Sequence, residues 1–120
     1  MNREDVRTFV FKMKGTIEDY PFGDDTAVFK VGEKMFLLMN LSKKEDFPIT
    51  LKATPENVDF YTDNYENITR GYYTNKRHWV TITIDESTDS KFIEKLISDS
   101  YELVFDKLTK KKQKEITETN

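Results

Sequence analysis

Five apolar residues in succession, Met35-Phe36-Leu37-Leu38-Met39, constrain the fold more than any other stretch of the chain. Successive side chains of a strand point to opposite faces, so a run that is apolar at every position belongs in the middle of a sheet. Just before it, Gly32-Glu33 fits a tight connection. Upstream of that, Ala27, Phe29 and Val31 alternate with Val28 and Lys30, which predicts a strand with one mainly apolar face. The two segments read as a hairpin whose second arm is a central strand.

The flanking elements follow from periodicity and punctuation. Val6, Phe9, Val10 and Met13 fall at helical spacing between Arg3 and Met13, with Gly15 as a nearby stop. Thr16–Tyr20 is a strand leading into the turn Pro21-Phe22-Gly23-Asp24-Asp25. After the polar loop Ser42–Asp46, Ile49 and Leu51 share one face of another strand. Thr54-Pro55-Glu56-Asn57 predicts a helix start, with Thr as N-cap, Pro at the first helical position, and Val58 and Tyr61 facing inward. Ile68–Tyr73 and His78–Ile84 are strands joined by a turn at Thr74-Asn75-Lys76. In the second strand Val80, Ile82 and Ile84 alternate with Thr81 and Thr83, so strict alternation puts Trp79 on the threonine face, away from Val80. Asp89 or Ser90 caps a long last helix with an apolar stripe from Phe92 to Leu108 and a lysine-rich end. A frayed tail is expected from about residue 110. The sum is an α+β fold: an antiparallel sheet with hairpin wings, packed against an N-terminal helix, a short middle helix and a long C-terminal helix.

At 120 residues the chain fits a single domain over 1–120. Charged residues are 34% of it, yet nine Phe and six Tyr supply enough apolar area to argue against disorder. The absence of cysteine removes disulfides, thiolate nucleophiles and sulfur-based zinc sites. No stretch approaches the roughly 18 apolar residues of a membrane span. The start Met1-Asn2-Arg3-Glu4-Asp5 lacks the apolar core of a secretory signal, so a cytoplasmic monomer without cofactor or membrane partner is expected. The net charge of -3 argues against a general nucleic-acid coat protein, and any such binding must be local.

A local source exists. Asn67 to Ile84 carries Arg70, Lys76 and Arg77 and no acid. Within it, Gly71-Tyr72-Tyr73-Thr74-Asn75-Lys76-Arg77-His78-Trp79 gathers two bases, the only His and the only Trp around one turn. Lys76 and Arg77 suit phosphate, Asn75 a base edge or backbone, and Tyr73 or Trp79 a stacked base. Lys52, Arg70 and His78 extend the set. A two-stranded ribbon has the right width to enter a major groove. The same run equally fits a hairpin in which Tyr72 and Trp79 pack inside and the bases are simply solvated. A second cluster, Lys107, Lys110, Lys111, Lys112 and Lys114, suits the negative end of a helix dipole and could serve as an auxiliary phosphate contact. His78 is the one candidate general base near neutral pH but has no evident partner, so no catalytic set is assigned. The paired acids Asp24-Asp25 and Glu45-Asp46 read as turn residues rather than metal ligands. An alternative is a protein- or small-ligand-interaction module using Tyr20, Phe22, Phe36, Tyr72, Tyr73 and Trp79.

Taken in order, Tyr20-Pro21-Phe22-Gly23, Ala27–Val31, Lys34-Met35-Phe36, Leu51-Lys52 followed by Pro55, Asn75–Trp79 and Ser100-Tyr101-Glu102-Leu103-Val104 resemble the MmcQ/YjbR family over nearly the whole chain. That family consists of small bacterial proteins described as DNA-binding with a double-wing motif, and the resemblance implies a fold like the DNA-binding domain of the phage transcription factor MotA. A DNA-binding role drawn from it rests on fold analogy. The chain departs from the family pattern at Tyr73, where His is frequent, Thr74 (Met), Glu33 (a second Gly) and Ala53 (Cys). Without a His at 73, two histidines cannot cooperate there.

Overall fold

The computed structural model describes residues 1–42, 45–71 and 75–118. Its elements are α1 (Arg3–Val10), β1 (Ile17–Asp19), β2 (Thr26–Val31), β3 (Lys34–Asn40), β4 (Phe47–Lys52), α2 (Pro55–Asn64), β5 (Ile68–Arg70), β6 (Trp79–Ile84), α3 (Ser90–Asp106) and α4 (Lys110–Glu118). The strands form one six-stranded sheet in the order β1-β2-β3-β4-β6-β5, with every neighbouring pair antiparallel. The fold is therefore α+β, and β3 is central as its two-faced apolar run requires. β4 and β5 run parallel to each other on either side of β6, and α2 makes the crossover between them. Buried side chains from all four helices, among them Val6, Val58, Ile97 and Ile116, join one core with the sheet residues Phe29, Leu37, Ile49 and Ile82. Among the described residues no helix is long and apolar enough to cross a membrane.

Local chemistry accounts for the boundaries. Thr54 caps α2 by accepting a hydrogen bond from the Asn57 N–H, and Asp89 caps α3 through the Lys91 N–H. The β2–β3 turn has positive φ at both central residues, 56° at Gly32 and 70° at Glu33, the backbone twist that joins two antiparallel strands without splaying them. Glycine suits position 32 for a second reason, because an added Cβ there would lie 2.5 Å from a Leu108 methyl and the Leu108 side chain would have to move.

Two expectations need correction. α1 stops at Val10, before Met13. The last helix is two helices, since the chain turns at Lys107–Thr109 and continues as α4. Gln113 Nε2 spans the corner, donating to the carbonyls of Phe105 (3.0 Å), Asp106 (3.3 Å) and Leu108 (3.2 Å). Ile116 is only 8% exposed and sits against Gly15. The stretch from about residue 110, which sequence alone gives to a fraying tail, therefore has its own tie to the core.

An irregularity in β3 shapes one end of the sheet. The β2–β3 register pairs Phe29 with Leu37 but Lys30 with Met35, so Phe36 is an extra residue, a bulge. Phe36 and Leu37 consequently both join the helix-side core, and Met35 falls on the opposite face. The β3–β4 ladder ends at Leu37–Leu51. Beyond that point a side chain replaces it: Ser100 Oγ, on α3, donates to the Phe36 carbonyl at 2.6 Å and accepts from the Lys52 N–H at 2.9 Å. Ser100 has no exposed surface. Ser100→Ala leaves both backbone groups without this partner, and urea denaturation is expected to show a loss of about 2 kcal/mol or more.

At the other edge, Arg7 on α1 grips Glu18 on β1 with two parallel bonds, Nε to Oε1 at 2.8 Å and Nη2 to Oε2 at 2.9 Å. Tyr20 also donates its hydroxyl to Glu18. The Arg7 hydrogen bond is the main reason the Glu18 carboxyl is held below its ordinary value near 4.5, with partial burial opposing it. A depressed folded-state value means the pair contributes its full stability above the ordinary carboxylate range and loses it as pH falls through the lower value. Stability followed by denaturation from pH 6 downward is expected to fall less steeply in Glu18→Gln than in the wild type.

Candidate nucleic-acid interface

The approach to β6 is built by backbone bonds. Asn75 Oδ1 accepts from the Arg77 N–H at 2.8 Å, and the His78 N–H donates to the Asn75 carbonyl at 3.1 Å, closing a tight turn. The Ala53 N–H then donates to the His78 carbonyl (2.9 Å) and the Gly71 N–H to the Trp79 carbonyl (2.8 Å), anchoring the turn to the strands on both sides. Lys76 and Arg77 are exposed on it. Among the described residues neither head meets a carboxylate. Tyr72, Tyr73 and Thr74, and with them the stacking role considered for Tyr73, lie outside the described residues.

Trp79 lies where strict alternation puts it. Val80, Ile82 and Ile84 belong to the helix-side core, whereas Trp79 packs with Val28, Leu38 and Met35 on the far face. Thr81 lies on that face too, bonded to Thr50 at 2.9 Å. At 9% exposure Trp79 is an anchor that offers little ring surface to a stacked base. What remains accessible borders a cavity of about 340 Å³ lined by Lys34, Met35, Lys52, Trp79, Val104, Lys107 and Leu108. This cavity sits at the end of the sheet that the Phe36 bulge and the Ser100 bridge hold open. The Lys52 ammonium is pushed below its ordinary value, first by burial and then by the charge of Lys107. No carboxylate lines the cavity among the described residues.

The other candidates do not all converge. Arg70 is engaged with Asp59 at 2.8 Å, an exposed pair. Lys112 and Lys114 pair along α4 with Glu115 and Glu118 at 3.7 and 3.9 Å, so these two of the five lysines are ordinary helix-surface charge. Lys107 separates from that cluster and turns to Lys52. The aromatic set also divides: Phe36 is in the core, while Tyr20 (43% exposed) and Phe22 (65%) follow the edge strand β1, across β2, β3 and β4 from Trp79. His78 is half-buried, with no carboxylate on its ring among the described residues. Nor do described His, Asp or Glu side chains cluster in threes as a metal site would need. Sequence reasoning missed Lys34, Met35 and the role of Lys107. The register shift at Phe36 puts Met35 on the Trp79 face, and a single extra strand residue leaves no mark in an unbroken apolar run.

The YjbR family model matches residues 11–103, a span that holds the turn, Lys34, Lys52 and Trp79. The chain belongs to the YjbR family. It is 36% identical to the uncharacterized protein YbdF of Escherichia coli O157:H7 over 81% of this chain and 79% of that one. It is 29% identical to the uncharacterized protein YyaQ of Bacillus subtilis strain 168 over 86% and 98%. Among solved structures, Deinococcus radiodurans DR2400, described with a DUF419 domain, superposes with a TM-score of 0.86 at 32% identity, covering 95% of this chain and 86% of that one. A Pseudomonas syringae protein, structural-genomics target PsR293, gives 0.73 at 29% identity over 87% and 99%. Both solved proteins share the architecture of this chain.

Because Lys107 contributes to the depressed Lys52 value, Lys107→Ala is expected to move the Lys52 ammonium upward on titration by NMR of the lysine side chains. It should stop short of the ordinary value, since burial is the larger cause.

Proposed function

We propose that this domain binds nucleic acid, DNA in the first instance, through the cationic end of its sheet and without catalysis. The observation that carries the reading is a separation of charge. In a chain of net charge -3, Lys76 and Arg77 stand on a pinned turn without acidic partners among the described residues, and that turn leads into Trp79, which borders a cavity lined by Lys34, Lys52 and Lys107. Lys76 and Arg77 dock on backbone phosphates, and the cavity lysines add positive potential behind them. Asn75 spends its side-chain oxygen on the turn, so its amide N–H₂ group is what it offers a base edge or phosphate. Arg70 joins by exchanging its exposed partner Asp59, an exchange with little cost for a solvent-screened pair. His78 and Trp79 fix the turn against the sheet. A cytoplasmic location agrees with a chain that has no cysteine. The alternative of a peptide groove loses weight, because the groove bordered by Trp79 is charged and the remaining described aromatics are elsewhere.

Fluorescence anisotropy with labelled duplex, single-stranded and RNA oligomers at two salt concentrations tests the reading. Lys76→Ala/Arg77→Ala is expected to weaken duplex binding across sequences. It should also lower the slope of log K against log salt by about 1.8, roughly 0.9 per lost phosphate contact. Unchanged affinity and slope in a folded double variant overturn the assignment.

A further inference from the structure

Beyond backbone docking, we infer that the cavity at the open end of the sheet is a binding site for a phosphate monoester with an apolar or aromatic body, a nucleoside monophosphate or the phosphorylated end of a strand. The ligand class follows from the walls. Lys34, Lys52 and Lys107 contribute ammonium groups from β3, β4 and the end of α3, and no carboxylate neutralises them among the described lining residues. An ammonium presents three donors without the flat fork of a guanidinium, so lysines lining one cavity suit a tetrahedral anion with several oxygens better than a single planar carboxylate. A phosphate monoester carries about -1.5 to -2 charges near pH 7 and has three acceptor oxygens. The rest of the lining is apolar: Met35 and Trp79 from the far face of the sheet, Val104 from α3 and Leu108 from the corner after it. They leave a place for the part of the ligand that is not phosphate. The volume of about 340 Å³ falls within the range of small-molecule sites, roughly 300–1,000 Å³.

Lys34 and Lys107 are exposed at the rim, and Lys52 is the lysine the fold holds in place. Lys52 is partly buried, and its backbone N–H is held by Ser100, which fixes where the side chain starts. Lys52 is held below its ordinary value first by burial and then by the charge of Lys107, and an anion beside the two would offset the second of these. Lys34 begins β3 directly after the Gly32-Glu33 turn, whose Gly32 packs against Leu108 of the same cavity. One hairpin and one helix end thereby hold two of the three cations in register.

Trp79 is the only tryptophan of the chain and borders the cavity, so its fluorescence reports occupancy, with isothermal calorimetry as an independent measure. AMP is expected to give a saturable emission change and a matching heat. Adenosine and inorganic phosphate should each bind at least about tenfold more weakly, since each lacks one half of the recognised group. Lys52→Gln and Lys107→Gln should each weaken AMP about tenfold or more, the size of one lost charge-assisted bond. Glutamine removes the charge while keeping a polar end one atom shorter, and the Ser100 bond uses the Lys52 backbone, so both variants should melt cooperatively. Oligonucleotides with and without a 5′ phosphate separate the two sources: a preference for the phosphorylated strand assigns the site to an end, and equal binding of the two beside tight AMP assigns it to a free nucleotide. Absence of both emission change and heat with AMP and with the phosphorylated strand at low salt overturns the inference, as does AMP binding indifferent to both lysine changes in folded protein. Oligonucleotide affinity indifferent to Lys76→Ala/Arg77→Ala would instead remove the backbone-docking reading and leave this one standing.

Discussion

One buried hydroxyl holds the sheet of this protein together where its own ladder gives out. Ser100 Oγ bonds the Phe36 carbonyl and the Lys52 N–H, replacing strand-to-strand pairing between β3 and β4 at the point where the bulge separates them. A bulge that exposed those groups to an apolar core would be costly, since each unpaired buried polar group forfeits its bonds to water. A hydroxyl is the smallest side chain that can both donate and accept, so α3 can lie close to the sheet without leaving either strand unpaired. The helix position and the strand irregularity thus imply each other.

The functional surface inherits this arrangement. Because β3 and β4 part beyond Leu37 and Leu51, Met35 and Trp79 of the far face come within reach of Val104, Lys107 and Leu108 of the near face around a single cavity. An unbroken sheet would have kept the two sides apart. The lysines gathered there and the turn at Asn75-Lys76-Arg77 are connected through Trp79, which pairs with Lys52 across the β4–β6 ladder. Local positive charge on a mildly acidic molecule therefore arises from topology, since Lys34, Lys52, Lys76 and Lys107 are far apart in the chain.

Much of the fold was legible in short-range signals. The apolar run at 35–39 gave a central strand. Thr54-Pro55 marked a helix start to the residue, and alternation from Val80 to Ile84 put Trp79 on the threonine face because side-chain parity in a strand admits only two answers. What escaped was non-local. The corner at Lys107–Thr109 depends on Gln113 reaching back to three carbonyls and on Ile116 finding Gly15, contacts that no window of sequence contains. The candidate site was half legible: Lys76, Arg77 and Lys52 stood out by composition, Trp79 looked more available than it is, and Lys34 and Met35 stayed hidden behind the bulge. Glu33 shows the converse, a departure from the family pattern whose meaning is structural. It holds a φ of 70° where glycine is common, a conformation that most side chains resist.

The strand order also bears on how the molecule is made. β6 comes last of the six strands in the chain yet lies between β4 and β5, so on a ribosome everything through Arg70 emerges before the strand that joins it. Until residues 79–84 arrive, β4 presents an open edge of backbone donors and acceptors and β5 has no strand to pair with. Release of the nascent chain short of Ile84 would leave that edge able to recruit strands from other molecules, so synthesis of this fold carries its greatest aggregation hazard in the interval between β5 and β6.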